Sequence, residues 1–389
     1  MTCQYDLSET ALTLRDRTYR RYVAAQPPDS YNPRVAEVSG SAQLHDWIAH
    51  AIDKRWPAAQ IERIEQLRGD ASARRYWRVF IASHDNLPPT SAITVDLGPD
   101  DLPRYAKALN LIAQPLPEPP YLNVHRFLSS LGVAVPEIYF AAPAARMLLV
   151  EDVGTVALFD AARGNPTTTV ELYRLALDEL MLFHVDGTRR GDSRCIAFSV
   201  VYDERLFAWE MEEFLDYGLA LVAPGADVVA IRPELTDLAA RLGWLPRVFS
   251  HRDFHGQNLF VQEGKRIRVL DFQDALMAPP AQDIAVLLTT RDTARVIAPE
   301  LESELLSYYW QRSKQRGAET TGFTEFLESY RLCVIQHALK AIGRFAWLER
   351  AGKQGYAEYI PHCLEQARRM LVRAADFPRL SAALAAQSQ

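Results

Sequence analysis

At 389 residues, with 48% hydrophobic, 24% charged and 10% aromatic residues, the chain has an ordinary globular composition, long enough for one two-lobed enzyme or for two or three domains. A formal net charge of −6 gives no support for nucleic-acid or anionic-membrane binding, both of which use clustered basic surface. The four cysteines, Cys3, Cys195, Cys333 and Cys363, form no CxxC pair, so neither a zinc site nor a disulfide framework is expected, and a reducing cytoplasmic setting is the simpler one. The charged N-terminal run lacks the apolar core of a secretory signal, and no apolar stretch reaches the ~18 residues of a membrane span.

Residues 1–41 are polar and read as an N-terminal extension without an assigned role. Ser41 opens an amphipathic helix with Leu44, Ile48, Ile52 and Trp56 at helical spacing. Strand patterns follow at Ile61–Leu67, Arg75–Ile81 and Ala92–Leu97, the last two predicted as antiparallel neighbours. A proline-rich break at Pro115–Pro120 precedes a helix over 121–131 and strands near 135–140 and 146–151. Beyond Gly154 the pattern is mostly helical. The segment 167–186 carries an apolar stripe at Leu172, Leu175, Ala176, Leu180 and Phe183, and further helices are predicted near 203–221, 234–243, 280–291, 298–316, 323–350 and 357–375. Short apolar runs and turns interrupt them over 247–272. The prediction is therefore an α+β, bilobal chain: a β-rich N-lobe over 42–150, a connector at 151–155, a larger helical C-lobe over 156–378 and a tail at 379–389. Such asymmetry suits a nucleotide cleft between lobes.

The strongest chemical signal is His251-Arg252-Asp253-Phe254-His255-Gly256-Gln257-Asn258, followed by Asp271-Phe272. An H-R-D with Asn five residues after the Asp has the spacing of a kinase catalytic loop. The segment between reads as a hairpin turning at Glu263-Gly264-Lys265, which brings Asp271 back beside Asn258. An amide oxygen from Asn258 and a carboxylate from Asp271 suit Mg²⁺ already bound by phosphates, and Asp253 is left to orient a substrate hydroxyl. The competing chemistry, a metal hydrolase with His251, Asp253 and His255 as ligands, lacks the helical segment on which HExxH-type sites are built.

At these residues the chain resembles the aminoglycoside phosphotransferase and choline kinase superfamily, whose pattern H-x-D-x-H-x-x-N includes the second histidine, His255. The resemblance implies a protein-kinase-like fold, ATP and Mg²⁺, Asp253 as catalytic base, and Asn258 and Asp271 as metal ligands. His251 and His255 then shape the loop, and Asp283 is the helix-start aspartate that braces it. Gly69-Asp70-Ala71-Ser72-Ala73-Arg74-Arg75-Tyr76-Trp77-Arg78 is similar to the signature of bacterial anomeric N-acetylmuramate/N-acetylglucosamine kinases, as are Leu148–Gly154, Leu270–Ala275 and segments between Gln336 and Pro361. That narrower resemblance covers about 45–375. It implies transfer to the C1 hydroxyl of an amino sugar in cell-wall recycling, with only a small-molecule sugar acceptor and a nucleotide as partners.

Within this reading Gly69, Asp70 and Ser72 form the phosphate turn, while Glu151 and Val153 of the connector hold adenine through backbone groups. The strand Ala92–Asp96 stands where protein kinases carry a lysine and has none, so Arg75 or Arg78 is the expected phosphate cation; strand parity forbids both from facing the cleft. Glu210 is the expected acceptor contact, with Glu213 a solvated neighbour on the same helical face, and Asp274 faces acceptor or metal or makes a structural hydrogen bond. Another superfamily acceptor, an aminoglycoside or amino alcohol, is the sister reading. A nucleotide-binding regulatory pseudokinase is the reading from another class; the missing lysine favours it weakly, and the presence of Asp253, Asn258 and Asp271 opposes it.

Overall fold

The structure, a computed structural model, describes residues 40–57, 59–67, 74–82, 88–98, 102–112, 116–290, 293, 296–318, 321–373 and 375–385. The chain divides into two compact units, Met1–His50 and Ala51–Gln389. Helix α1 (Gly40–Arg55) crosses that boundary, and only its first eleven positions belong to the described part of the smaller unit. The strands and remaining helices belong to the larger unit.

Its N-terminal part is a five-stranded antiparallel sheet of β1 (Gln60–Leu67), β2 (Arg75–Ala82), β3 (Ser91–Asp96), β4 (Ile138–Ala142) and β5 (Met147–Glu151), in the order β1-β2-β3-β5-β4. Alternation along β2 buries Trp77, Val79 and Ile81 on one face, with Arg75 on that same parity. The opposite face, carrying Tyr76, Arg78, Ile93, Val95, Leu148 and Val150, turns towards the main core. Helix α2 (Pro120–Leu131) links β3 to β4. Proline at its first turn and Gly132 at φ 81 just past its end fix its limits, and Tyr121, Val124, Phe127 and Leu128 bury its inner stripe.

The C-terminal part is helical. Its elements are α3 (Pro166–Met181), α4 (Glu204–Glu213), α5 (Val228–Trp244), α6 (Pro280–Thr289), α7 (Pro299–Gln315), α8 (Phe323–Arg350), α9 (Ile360–Leu371) and α10 (Pro378–Ala385). Two small strand pairs interrupt it, β6 (Val248–Ser250) with β9 (Leu276–Ala278), and the hairpin β7 (Leu259–Gln262) with β8 (Arg266–Val269). The hairpin turns where predicted, through Gly264 at φ 73. Helix α6 is buried from Ala281 to Thr289, so it forms the axis around which the site is built. Among the described residues no helix is long and apolar enough to cross a membrane.

The structure departs from the sequence prediction in several places. The helices predicted over 167–186 and 203–221 widen into π turns at Leu182–Gly187 and Phe214–Gly218, which side-chain periodicity does not signal. Helix α5 starts at Val228 instead of near 234, because Asp227 caps Val229 and Ala230. Residues 102–112 include an unpredicted turn of helix at Arg104–Ala108. The segment expected as a tail contains α10, whose Leu380 and Leu384 are buried.

Helix α8 and the Phe214–Gly218 turn approach backbone to backbone. A Cβ at Gly343 would lie 2.7 Å from the Phe214 nitrogen and 2.8 Å from its Cα. Gly343→Ala is therefore expected to destabilise the fold by about 2 kcal/mol through overpacking, read as a lowered denaturation midpoint at unchanged slope. An unchanged midpoint would mean that the two elements can separate freely.

Candidate active site

The loop between β6 and β7 is held from beneath by one carboxylate. Asp283, in the first turn of α6 and fully buried, accepts the backbone N–H of His251 at 2.8 Å and of Arg252 at 2.7 Å. Its Oδ2 also lies 3.0 Å from His184 Nε2, and His184 Nδ1 lies 2.7 Å from the Tyr309 hydroxyl. Both ring contacts are satisfied when His184 donates from Nε2 and accepts from the tyrosine. His251 Nε2 meets the Leu270 carbonyl at 2.9 Å, tying the loop to the strand that returns to it. Arg252 adopts φ 80, a left-handed conformation unfavourable for a residue with a Cβ, and the two bonds to Asp283 flank that distortion.

The rest of the loop folds on itself. The His255 N–H donates to Asp253 O at 3.0 Å, the Asn258 N–H to His255 O at 2.8 Å, and the Asn258 side-chain amide to Asp253 O at 3.0 Å. That amide nitrogen is also 3.3 Å from His255 Nε2. The register Leu259↔Val269, extended by the Leu270 N–H to Asn258 O at 2.9 Å, brings Asn258 beside Asp271. With its nitrogen engaged by the loop, the Asn258 amide can offer its oxygen, and Asp271 leaves the strand at φ 57 with 39% of its side chain exposed. An amide oxygen and a carboxylate side by side fit a hard divalent cation that takes its other ligands from phosphate and water. Among the described residues no group of three or more His, Cys, Asp and Glu side chains is arranged to hold a metal by itself. The alternative hydrolase set of His251, Asp253 and His255 is thus not such a group.

Asp253 keeps 33% of its side chain exposed, enough to meet a substrate. Burial pushes its carboxyl up, but the charge of Arg252, then that of Lys340 and the nearby histidines, outweighs it and holds the group well below the usual carboxylate range. Arg252 lies 3.5 Å from Asp253 and 3.4 Å from Glu210, with its guanidinium 4.1 Å above the Tyr105 ring. On the sheet side, Arg74 reaches Asp271 Oδ1 at 2.7 Å, and Gln273 Nε2 donates to the same oxygen at 2.9 Å. Burial works against the Arg74 charge, yet Asp271 and Asp274 raise its pKa well above the usual value. Burial raises the Asp274 pKa despite the opposing charges of Arg74 and Arg252.

Several expectations are corrected. Gly69, Asp70 and Ser72 lie outside the described residues. Arg75 and Arg78 do stand on opposite faces, and neither pairs with the carboxylates of Asp253 or Asp271. Arg75 is on the face away from the carboxylates and pairs with Asp96 at 2.6 Å. Arg78 grips Asp152 through two bonds and reaches the Gly154 carbonyl, so it fastens the connector instead. The cation beside Asp271 is Arg74. Glu151 donates its N–H to Glu137 O, and its carboxylate is held by the buried Arg268, so its N–H and side chain are not available to adenine. Val153 lies in the connector with its side chain buried. Glu213 is not solvated: it is 3% exposed, between Arg104 at 2.5 Å and Arg344 at 3.8 Å. Glu210 is 1% exposed and taken up by Tyr202, Gln336, Arg252 and Lys340, which leaves it no face for direct contact with an acceptor.

Lys340, Arg74 and Tyr105 were missed as members of this cluster. Lys340 had a usable signal, since lysine occurs at only six positions and Gln336 stands one helical turn before it. Arg74 had one as well, its place in the signature-like run Gly69–Arg78, whereas Tyr105 had none, because its partners are distant in sequence.

Residues 63–319 match the sequence pattern of a phosphotransferase enzyme family. An N-acetylmuramate/N-acetylglucosamine kinase of Caulobacter vibrioides is 30% identical over 328 residues, covering 77% of this chain and 85% of that protein. A protein of the same name from Pseudomonas aeruginosa is 31% identical over 277 residues, 69% of this chain and 78% of its own length. The choline kinase structure from Cryptosporidium parvum aligns over 87% of this chain and 99% of its own, with a TM-score of 0.58 and 15% identity, a likeness of fold. The chain belongs to the phosphotransferase enzyme family and is a small-molecule kinase.

Proposed function

We propose that the chain transfers the γ-phosphoryl group of ATP, with Mg²⁺, to the anomeric C1 hydroxyl of N-acetylmuramate, N-acetylglucosamine or both. The observation that carries the acceptor assignment is its likeness, at about 30% identity over most of the chain, to kinases named for those two sugars. The chemistry is supported by Asp253, an exposed carboxylate on a braced loop beside the oxygen donors Asn258 and Asp271. An aminoglycoside or amino-alcohol acceptor is disfavoured by the two cations, Arg252 and Lys340, that act on Asp253.

In this reading Asp253 accepts a hydrogen bond from the C1 hydroxyl, orients it for in-line attack and receives its proton as the new P–O bond forms and the bond to the ADP oxygen breaks. Asn258 and Asp271 hold Mg²⁺, which when bound supplies charge neutralisation at the phosphates. Arg74 contributes a cation on the sheet side, while His251, His255 and Asp283 keep the loop in shape. Asp274, three residues past Asp271, stays within the cluster as a second carboxylate towards acceptor or metal.

The reading is tested by following ATP consumption with N-acetylmuramate, N-acetylglucosamine, choline and several aminoglycosides. Turnover of the amino sugars is expected, with kcat reduced about 10²–10⁴-fold in Asp253→Asn while nucleotide still binds. Turnover of aminoglycosides but not amino sugars would sink the acceptor assignment, and nucleotide binding without any turnover would favour the pseudokinase. Substituting Asn258 or Asp271 by Ala should raise the Mg²⁺ concentration needed for half-maximal rate.

The pH profile gives a further check. Because neighbouring cations hold Asp253 below the usual aspartate range, the base form is already present at neutral pH. On the acid side, kcat/KM should lose nothing to this group until pH falls below about 3.9. An acidic limb near neutrality that disappears in Asp253→Asn would contradict it.

A further inference from the structure

The Glu210 carboxylate joins the catalytic loop to α4 and α8. One oxygen, Oε2, takes the neutral donors, the Tyr202 hydroxyl and Gln336 Nε2 at 2.7 Å. The other, Oε1, faces both cations, Arg252 Nη2 at 3.4 Å and Lys340 Nζ at 3.4 Å. The two cations are committed to different degrees. Arg252 is shared with Asp253 and covered by the Tyr105 ring. For Lys340, Glu210 is the single ion-pair partner among the described residues, at a distance beyond that of a close charge-assisted hydrogen bond. An ammonium carries three donors. With its side chain only 15% exposed, Lys340 is largely removed from water, yet its charge acts on Asp253, where the acceptor hydroxyl must sit. A largely desolvated cation with one loose partner, on α8 and close enough for its charge to act on Asp253, is suited to an anionic group brought in by the acceptor.

The two acceptors proposed above differ in that respect: N-acetylmuramate carries a carboxylate on its lactyl ether and N-acetylglucosamine has none. We propose that Lys340 is a specificity-determining residue that receives the acceptor's carboxylate, with Glu210 holding the ammonium in position. This rests on the amino-sugar reading.

The test compares kcat/KM for N-acetylmuramate, its methyl ester and N-acetylglucosamine in the wild-type enzyme and in Lys340→Met. Wild type should prefer the acid to its ester. The substitution should lower kcat/KM for the acid about tenfold relative to both neutral sugars, mainly through KM. Lys340→Arg, which keeps the charge, should retain much of the preference. Any change in folding or in Asp253 ionisation scales all three substrates together, so the ratio is the readout. Equal losses on all three, which would result if Lys340 served the transferring phosphoryl group instead, overturn the proposal. So does an unchanged ratio with all three sugars turned over, which leaves the amino-sugar reading intact. If wild type phosphorylates none of the three, that reading falls and the proposal falls with it.

Discussion

Two adjacent backbone N–H groups, of His251 and Arg252, end on the buried carboxylate of Asp283. A loop that must leave its carboxylate exposed to substrate cannot satisfy its own backbone with regular structure, and buried donors left unpaired would cost about 1–3 kcal/mol each. Asp283 removes that cost and stabilises the loop around the positive φ at Arg252. Its remaining contact, with His184 and through it Tyr309, anchors the carboxylate to α7 and to the π turn after α3. The positions of Asp253, and of Asn258 through the Asp253 carbonyl, follow from this bracing.

The second constraint is electrostatic. Carboxylates and cations are interleaved: Asp271 with Arg74, Asp253 with Arg252, Glu210 with Arg252 and Lys340. Burial raises the pKa of a carboxylate that lacks such partners, and it raises that of Asp274 even against two nearby cations. Arg74, one residue before β2, is the cation paired with Asp271 on the sheet side, and strand β3 (Ser91–Asp96) contains no lysine.

Much of this was legible in the sequence where chemistry and spacing coincide. The Asp253-to-Asn258 interval and the Glu-Gly-Lys turn predicted a loop and hairpin that bring Asn258 to Asp271, because both are local features. Strand parity correctly separated Arg75 from Arg78. The choice between them failed, because pairing with Asp96 and Asp152 depends on sheet register and on the connector, which no local pattern reveals. Glu213 read as solvated because an acidic pair on a helix usually is. Its burial depends on Arg104 and Arg344, which lie 109 and 131 residues away along the chain. The π turns were hidden because a single widened turn barely disturbs apolar periodicity, although Gly187 and Gly218 mark where they pack.

Transfer of a phosphoryl group from ATP to a sugar hydroxyl at the braced loop is read from the fate of the phosphorus. Phosphorus NMR of a reaction containing ATP, Mg²⁺ and N-acetylmuramate follows it without a coupled assay. The account predicts ADP together with a sugar phosphate whose resonance is split by the anomeric proton. ADP accompanied only by inorganic phosphate, or a phosphate ester on another carbon of the ring, would contradict it.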